Sequence, residues 1–275
     1  MEKLSVVIIT YNEEKNIGSC IDSVQSIADE IIVLDSFSSD STIAIALQKG
    51  AKVFQSTFQG YIAQKNKAIE KATHNYILSI DADEQLDASL QTAIGEAKKT
   101  FTYGAYKMKR CTNYCGHFIR YGAWYPDRKI RLFDKRVAAW GGLDPHDKIV
   151  FSKTIAVKQL PGEILHYSYS SKEGHVLQNE RFSTIVAESY YFAGKKTNWF
   201  KIIVNPFWAF VYGYFIRRGF LNGEKGLVIA FNQARYTFYK HKKLYALQIH
   251  GLKTGSDIQP STHTDRLSGN IRAHV

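Results

Sequence analysis

Strand-like and helix-like segments alternate through the first hundred residues, and this alternation constrains the fold more than any other feature of the sequence. Each strand-like run is short and rich in Val, Ile or aromatic residues, which is typical of a buried strand. The runs cover residues 4–10, 30–36, 51–56 and 76–81. Because strands separated by helices form a parallel sheet with helices on its faces, the sequence predicts an α/β fold.

Residues able to begin helices stand between these runs. Asn12 is predicted to cap the first helix and Asp40 the second, because short polar side chains accept hydrogen bonds from first-turn N–H groups. A third helix is expected over 61–72 and a fourth over 87–99. From residue 103 to 169, short strand-like pieces and turn residues replace this pattern. That change predicts a mixed rather than parallel second half of the sheet.

Asp81 ends the fourth strand and Asp83 follows two residues later, so the two carboxylates lie on the same side of the extended chain. Ligands of open α/β sheets bind outside the carboxyl ends of the strands, and paired carboxylates there suit Mg²⁺ or Mn²⁺ bridging a diphosphate. A solvated acidic turn is the alternative. Asp35 ends the second strand, where a carboxylate can accept hydrogen bonds from ribose hydroxyls or a base N–H. Neither G-x-G-x-x-G nor a Walker A motif is present, which disfavours nicotinamide cofactors and P-loop chemistry.

Four of these segments, taken in order and spacing, carry a family resemblance. Residues 5–14, 35–42, 64–66 and 81–83 resemble the nucleotide-sugar half of family-2 inverting glycosyltransferases, which have the GT-A fold. Four later segments resemble the branch of that family that contains lipopolysaccharide-core glucosyltransferases. They are residues 124–133, 146–147, 166–168 and 221–227. The resemblance extends over roughly residues 3–245 and implies a GT-A α/β sheet with a C-terminal helical extension.

The resemblance implies a role for each matching residue. Those assigned to the nucleotide sugar are Thr10, Tyr11, Glu13, Asp35, Lys65, Asp81, Ala82 and Asp83. Asp81 and Asp83 meet the divalent cation, Mn²⁺ or Mg²⁺, and His166 is an additional metal ligand. Asp147 is the catalytic carboxylate, since an inverting transfer needs a base for the acceptor hydroxyl proton. Arg128 or Arg131 is predicted to add bidentate contacts to phosphate oxygens.

Two positions depart from the family pattern. Relatives often have Asp-Gly-Ser where this chain has 35–38, and His-Glu where it has 146–147. Residue 147 is thus a shorter acid than the family pattern often has. A turn carboxylate remains the alternative for Asp147, and a structural histidine for His166.

The resemblance implies sugar transfer from a nucleotide-diphosphate sugar, with a UDP-sugar favoured, to a lipid-linked glycan such as a lipopolysaccharide core. A capsule or other surface-polysaccharide transferase, or a catalytically silent nucleotide-sugar-binding protein, is the alternative. The expected domains are a catalytic domain over 1–185, with its nucleotide-sugar half at 1–100 and acceptor half at 101–185, then an extension. That basic aromatic helical extension covers 186–253, and a flexible tail is expected over 254–275.

Positive charge is concentrated near the C-terminus. The chain has 275 residues and a formal net charge of +11, and residues 195–243 hold ten Lys or Arg and one acid. Many aromatic residues share this segment, and Asn205 with Pro206 is predicted to start a helix that ends at Gly219. Such a surface suits the headgroup boundary of an anionic membrane. The alternative is a helix packed on the catalytic domain with its cations in solvent. Nucleic acid is disfavoured because no groove-binding or base-stacking motif accompanies the charge.

The cysteine content and the lengths of the apolar segments indicate the cellular compartment of the protein. Three cysteines, Cys20, Cys111 and Cys115, are too few for the disulfide framework of a secreted domain and indicate a reducing compartment. The first apolar run is too short for a signal peptide, and the run over 202–216 is too short and interrupted to span a membrane. We therefore expect a cytoplasmic protein, peripheral on the inner face of the cytoplasmic membrane.

Overall fold

A computed structural model describes residues 2–143 and 146–251, so the predicted tail over 254–275 lies outside the described residues. Within them the chain forms two compact units. The first comprises residues 2–110 and 127–167, and the second comprises 111–126 and 168–251. The domain division at residue 185 stays a prediction.

The first unit is built on a mixed sheet. Its strands are β1 (Leu4–Thr10), β2 (Glu30–Asp35), β3 (Lys52–Gln55), β4 (Tyr76–Asp81), β5 (Glu84–Leu86), β6 (Ala105–Tyr114), β7 (His117–Phe118), β8 (Asp127–Asp134) and β11 (Val157–Tyr169). Their order is β3-β2-β1-β4-β8-β6-β11-β5, with β7 paired to β6. A separate antiparallel hairpin consists of β9 (Ala138–Leu143) and β10 (His146–Phe151). The last residues of β6 and β11, with β7, belong to the second unit.

Strand pairing changes from parallel to antiparallel between β4 and β8. Strands β1 to β4 pair in parallel, whereas β8 runs antiparallel to both β4 and β6. The predicted α/β fold with a mixed second half is therefore confirmed. Because parallel strands end at one edge, the C-terminal ends of β1, β2 and β4 bring Thr10, Asp35 and Asp81 to the same edge of the sheet.

Helices cover the parallel half close to where the sequence predicts them. They are α1 (Ile17–Val24), α2 (Thr42–Gln48), α3 (Tyr61–Glu70) and α4 (Ala88–Lys98). The predicted cap at Asn12 is wrong, because α1 begins only at Ile17. Asn12 instead has a left-handed backbone, with φ at 52°, and its Oδ1 accepts a hydrogen bond from the Ser39 N–H at 2.7 Å. The residue thus ties the loop after β1 to the loop after β2.

A β-bulge in β8 redirects one side chain. Tyr106 pairs with Leu132, but the next residue of β6, Lys107, pairs with Ile130, which leaves Arg131 as the extra residue. Leu132 and Ile130 consequently pack into different core clusters, Ile130 at the margin of its own. Bulges reorient side chains in this way, and here the side chain that changes face is that of Ile130.

The second unit contains three long helices. They are α5 (Lys172–Phe192), α6 (Trp199–Val211) and α7 (Gly223–His250), with short π and 3₁₀ turns between the last two. The predicted helix start at Asn205 and Pro206 is wrong, because α6 begins at Trp199 and contains Pro206. Asn198 caps it by accepting the Lys201 N–H at 2.9 Å. Among the described residues, none of the helices combines the length and apolar character needed to cross a membrane.

A buried histidine holds α5 and α7 together. His175 is 1% exposed, and its Nδ1 lies 3.2 Å from the Tyr114 hydroxyl and 3.3 Å from the Asn232 amide. Its Nε2 lies 2.9 Å from the Asn179 amide. Burial lowers the pKa of His175 to about 4, so the folded unit holds a neutral imidazole at neutral pH.

This burial predicts acid sensitivity. Between pH 6.5 and about 4 the unfolded chain takes up a proton at His175 that the folded chain does not, so stability falls as pH falls. The loss approaches about 3 kcal/mol at the acid end. We expect His175→Gln to flatten the pH dependence of the free energy of unfolding, measured by urea titration. His117→Gln, at an exposed position, should leave it unchanged. If the free energy of unfolding depends on pH in the same way in the wild type and in His175→Gln, this prediction is wrong.

Candidate active site

Two cations enclose the carboxylate at the end of β4. The Lys65 Nζ lies 3.2 Å from Asp81 Oδ1, and the Arg131 Nη2 donates to Asp81 Oδ2 at 3.0 Å. Burial opposes ionisation of this carboxyl, but Lys65 and Arg131 hold the pKa of Asp81 well below its usual range. Asp81 is therefore a fixed negative charge, paired within the protein.

Lys65 also reaches the predicted catalytic carboxylate. Its Nζ donates to Asp147 Oδ2 at 2.7 Å, and the lysine is only 4% exposed. Lys65 lies on α3, Asp81 ends β4 and Asp147 lies on β10. One buried ammonium thus joins the predicted donor-binding carboxylate to the predicted base, although the two acids are far apart in the sequence.

Trp140 fixes the hairpin that carries Asp147. The Asn66 side chain donates to the Trp140 carbonyl and accepts from the Trp140 N–H, both at 3.0 Å. The indole N–H donates to Ser79 Oγ at 3.2 Å, and the ring lies 4.4 Å from Lys65 Nζ. A cation over an aromatic face is stabilised by the ring quadrupole. Trp140 therefore positions both the hairpin and the lysine that contacts Asp147.

Asp83 pairs with His166, as the resemblance implies for two metal ligands. The His166 Nε2 lies 3.1 Å from Asp83 Oδ2, and the Tyr167 N–H donates to the Asp83 carbonyl at 2.8 Å. Burial opposes ionisation of Asp83, but His166 lowers its pKa. The His166 Nδ1 is buried and has no hydrogen-bond partner within the described residues. Pairing of β5 with β11 places His166 opposite Glu84 and so beside this turn.

A buried ion network supports this edge, and the sequence did not reveal it. Glu84, fully buried, accepts from Arg131 at 2.7 Å and from Arg110 at 3.2 Å. Its second oxygen accepts the Asp81 N–H at 3.0 Å, and Arg110 continues to Asp127. The only signal in the sequence was that Glu84 follows the two aspartates directly.

The remaining predicted nucleoside residues line the loops after β1 and β2. Asp35 is fully buried and accepts both the N–H of Ser38, at 2.8 Å, and its hydroxyl. The Glu13 N–H donates to Thr42 Oγ1 at 2.7 Å. Burial raises the pKa of Glu13 to about 7, and the negative charge of Asp83 adds to the shift. Glu13, Asp83 and His166 are thus electrostatic neighbours at one edge.

Other predicted residues have less access to a ligand. Thr10 and Ala82 are buried, and the Ala82 side chain packs in the core while its N–H donates to the Ile9 carbonyl at 3.2 Å. Tyr11 is half-buried. Of the two predicted phosphate-binding arginines, Arg128 is exposed. Their contacts with a nucleotide sugar stay predictions.

Residues 5–151 match the model of the family described as Glycosyl transferase family 2. The chain belongs to this family. It is 35% identical over 260 residues to the uncharacterized glycosyltransferase RT0209 of Rickettsia typhi, covering 90% of this chain and 89% of that protein. The predicted family and its GT-A α/β fold are confirmed, and the protein is a glycosyltransferase.

Two further similarities involve proteins with more specific names. The lipopolysaccharide core biosynthesis glycosyltransferase LpsC of Rhizobium meliloti is 28% identical over 274 residues, covering 93% of this chain and 96% of LpsC. Among solved structures, glucosyl-3-phosphoglycerate synthase of Mycobacterium tuberculosis, in complex with Mn²⁺, UDP and glucosyl-3-phosphoglycerate, matches with 26% identity and a TM-score of 0.35. That match covers 41% of this chain and 44% of the synthase, so the chain spans less than half of that structure.

Proposed function

We propose that this protein is an inverting, metal-dependent glycosyltransferase that moves a sugar from a nucleotide-diphosphate sugar, preferably a UDP-sugar, to a lipid-linked glycan. The family supports the reaction class. The similarity to LpsC, which extends over nearly the whole of both chains, supports a lipopolysaccharide or lipooligosaccharide core as the acceptor. With such an acceptor, we infer that the enzyme works at the inner face of the cytoplasmic membrane.

The observation that carries the proposal is the bridge from Asp81 through Lys65 to Asp147. It joins the carboxylate at the strand edge, where α/β sheets bind ligands, to a second carboxylate on a separate hairpin. We assign Asp147 as the base that takes the proton of the acceptor hydroxyl during in-line attack. Lys65 and Trp140 hold this base in position.

Asp83 and His166 fit a divalent cation. In residues 2–143 and 146–251, no group of three or more His, Cys, Asp or Glu side chains is arranged to hold a metal by itself. Mg²⁺ and Mn²⁺ sites of nucleotide enzymes are commonly completed by phosphate oxygens and water, so two protein ligands suffice. Asp81 is already paired with two cations, which makes Asp83 and His166 the better ligands. When bound, the ion would neutralise the leaving diphosphate.

Asp83→Ala tests the metal assignment. We expect donor hydrolysis and transfer in the presence of Mn²⁺ to fall by about 100-fold or more, because the diphosphate loses its charge stabilisation. A thermal-shift assay with a UDP-sugar should show an extra stabilisation by Mn²⁺ in the wild type and none in the variant. Asp22→Ala, on the outer side of α1, is the matched control. Undiminished turnover of Asp83→Ala would remove the metal assignment.

A further inference from the structure

Helix α6 presents an unusually apolar outer side to solvent. Six large apolar residues of this 13-residue helix are exposed, and we call them the α6 stripe. They are Trp199, Phe200, Ile203, Val204, Phe207 and Trp208. Soluble proteins rarely expose contiguous apolar patches of more than a few hundred Å², and larger ones mark interaction sites. The stripe therefore indicates a surface that binds another molecule.

The stripe lies on a single side of the helix. Residues four apart are neighbours on a helix surface, so 199, 203 and 207 form one row and 200, 204 and 208 form the adjacent row. The inner side of α6 faces α7, where the Asn205 amide lies 3.0 Å from His241 Nε2. The side of α6 that packs on α7 is thus separate from the side that carries the α6 stripe, and the two exposed rows are adjacent.

The segment of sequence that contains the stripe carries charge of one sign. Between Ser189 and Gly223 the sequence holds five cations and no acid. The cations are Lys195, Lys196, Lys201, Arg217 and Arg218. Two precede α6 in sequence, one lies in its first turn, and two follow it. This distribution complements a continuous anionic surface rather than a single carboxylate.

We propose that the α6 stripe inserts at the headgroup boundary of an anionic bilayer, with α6 lying in the plane of the membrane. A helix with Trp and Phe on one side and flanking Lys and Arg is the pattern of an interfacial helix. At about 20 Å, α6 is too short to span the hydrocarbon core. A second copy is a poorer occupant, because a symmetric contact would bring two sets of these five cations together. The inference deepens the proposed function, since a lipid-linked acceptor is met at a membrane surface.

Vesicle flotation of the full chain tests this without donor or acceptor. We expect binding to vesicles of phosphatidylcholine with phosphatidylglycerol at low salt, weaker binding at high salt, and little binding to phosphatidylcholine alone. Phe207→Ser should lower the partition coefficient about tenfold. Lys196→Gln and Lys201→Gln should each lower it about fivefold. Leu47→Ser, at an exposed apolar position of α2, should leave it unchanged.

Quenching of tryptophan fluorescence tests whether the stripe enters the acyl region, because binding through charge alone would not change it. Trp199 and Trp208 are exposed, whereas Trp140 is buried and Trp124 is partly buried against a core cluster. Lipids brominated in the acyl chain should quench the wild type and fail to quench Trp199→Phe combined with Trp208→Phe. That variant should still bind vesicles.

Absence of flotation, or flotation unaffected by Phe207→Ser, would overturn the docking surface. A dimer in solution that dissociates on Phe207→Ser would also overturn it, in favour of a second copy. Donor hydrolysis, measured without vesicles, separates the two proposals. If hydrolysis persists while vesicle binding is absent, only the docking surface fails; the reverse result leaves docking in place and removes the transferase site.

Discussion

Asp147→Asn is expected to bind donor normally and to lose sugar transfer by about 100-fold to 10,000-fold, the range that general bases contribute. The side-chain amide keeps the shape of the carboxylate and one oxygen for the Lys65 ammonium, which lies 2.7 Å from Asp147 Oδ2. It cannot take up the proton of the acceptor hydroxyl. The loss should therefore appear in kcat, with the donor KM little changed.

Two further substitutions separate chemistry from folding. Asp147→Glu should retain part of the activity, since it supplies a proton acceptor of the length that the family pattern often has at this position. Asp22→Asn, in an exposed ion pair with Lys49, should leave transfer unchanged. Titration of a UDP-sugar by thermal shift checks donor binding in each variant. Full transfer activity in Asp147→Asn would rule out this residue as the base.

Trp140→Phe should weaken transfer without removing the base. The ring remains to cover Lys65, but the hydrogen bond to Ser79 is lost. A shift of the hairpin by a fraction of an ångström lowers the rate of a positioned proton transfer, and we expect about a tenfold fall in kcat. A purely structural tryptophan would lower the melting temperature and leave kcat intact, and measuring both quantities decides between the roles.

Local patterns predicted the parts of the fold that depend on local physics. The strands β1 and β4 begin and end at the predicted residues, and α4 begins next to Asp87, whose carboxylate accepts the Leu90 N–H at 2.7 Å. Helix α6 shows the limit of this reasoning. Pro206 stands inside the helix because the Asn198 cap and contacts with α7 define where α6 starts.

The ion pairs of the candidate active site could not be predicted from the spacing of residues in the sequence. Lys65 and Asp147 are 82 residues apart, and Arg131 and Asp81 are 50 residues apart. The family resemblance implied Asp81, Asp83 and His166 as metal ligands, and the structure brings Asp83 and His166 together. Nothing in the sequence indicated that Asp81 is paired with two cations.

Replacing Arg131 by Met should lower the free energy of unfolding by about 3 to 5 kcal/mol, the cost of leaving buried charges unpaired. Arg131 is 2% exposed and bonds to Asp81 and Glu84, and Glu84 is fully buried. Met fills similar volume, so the loss is electrostatic rather than a cavity effect.

Denaturant unfolding of wild type, Arg131→Met and Arg128→Met measures this loss. Arg128 lies on the same strand but is exposed, so its substitution should change stability by less than about 0.5 kcal/mol. Combining Arg131→Met with Glu84→Gln removes the charge of the Glu84 carboxylate, which has lost its Arg131 partner. The double variant should therefore recover part of the lost free energy of unfolding. If Arg131→Met is as stable as Arg128→Met, the buried network does not support the strand edge.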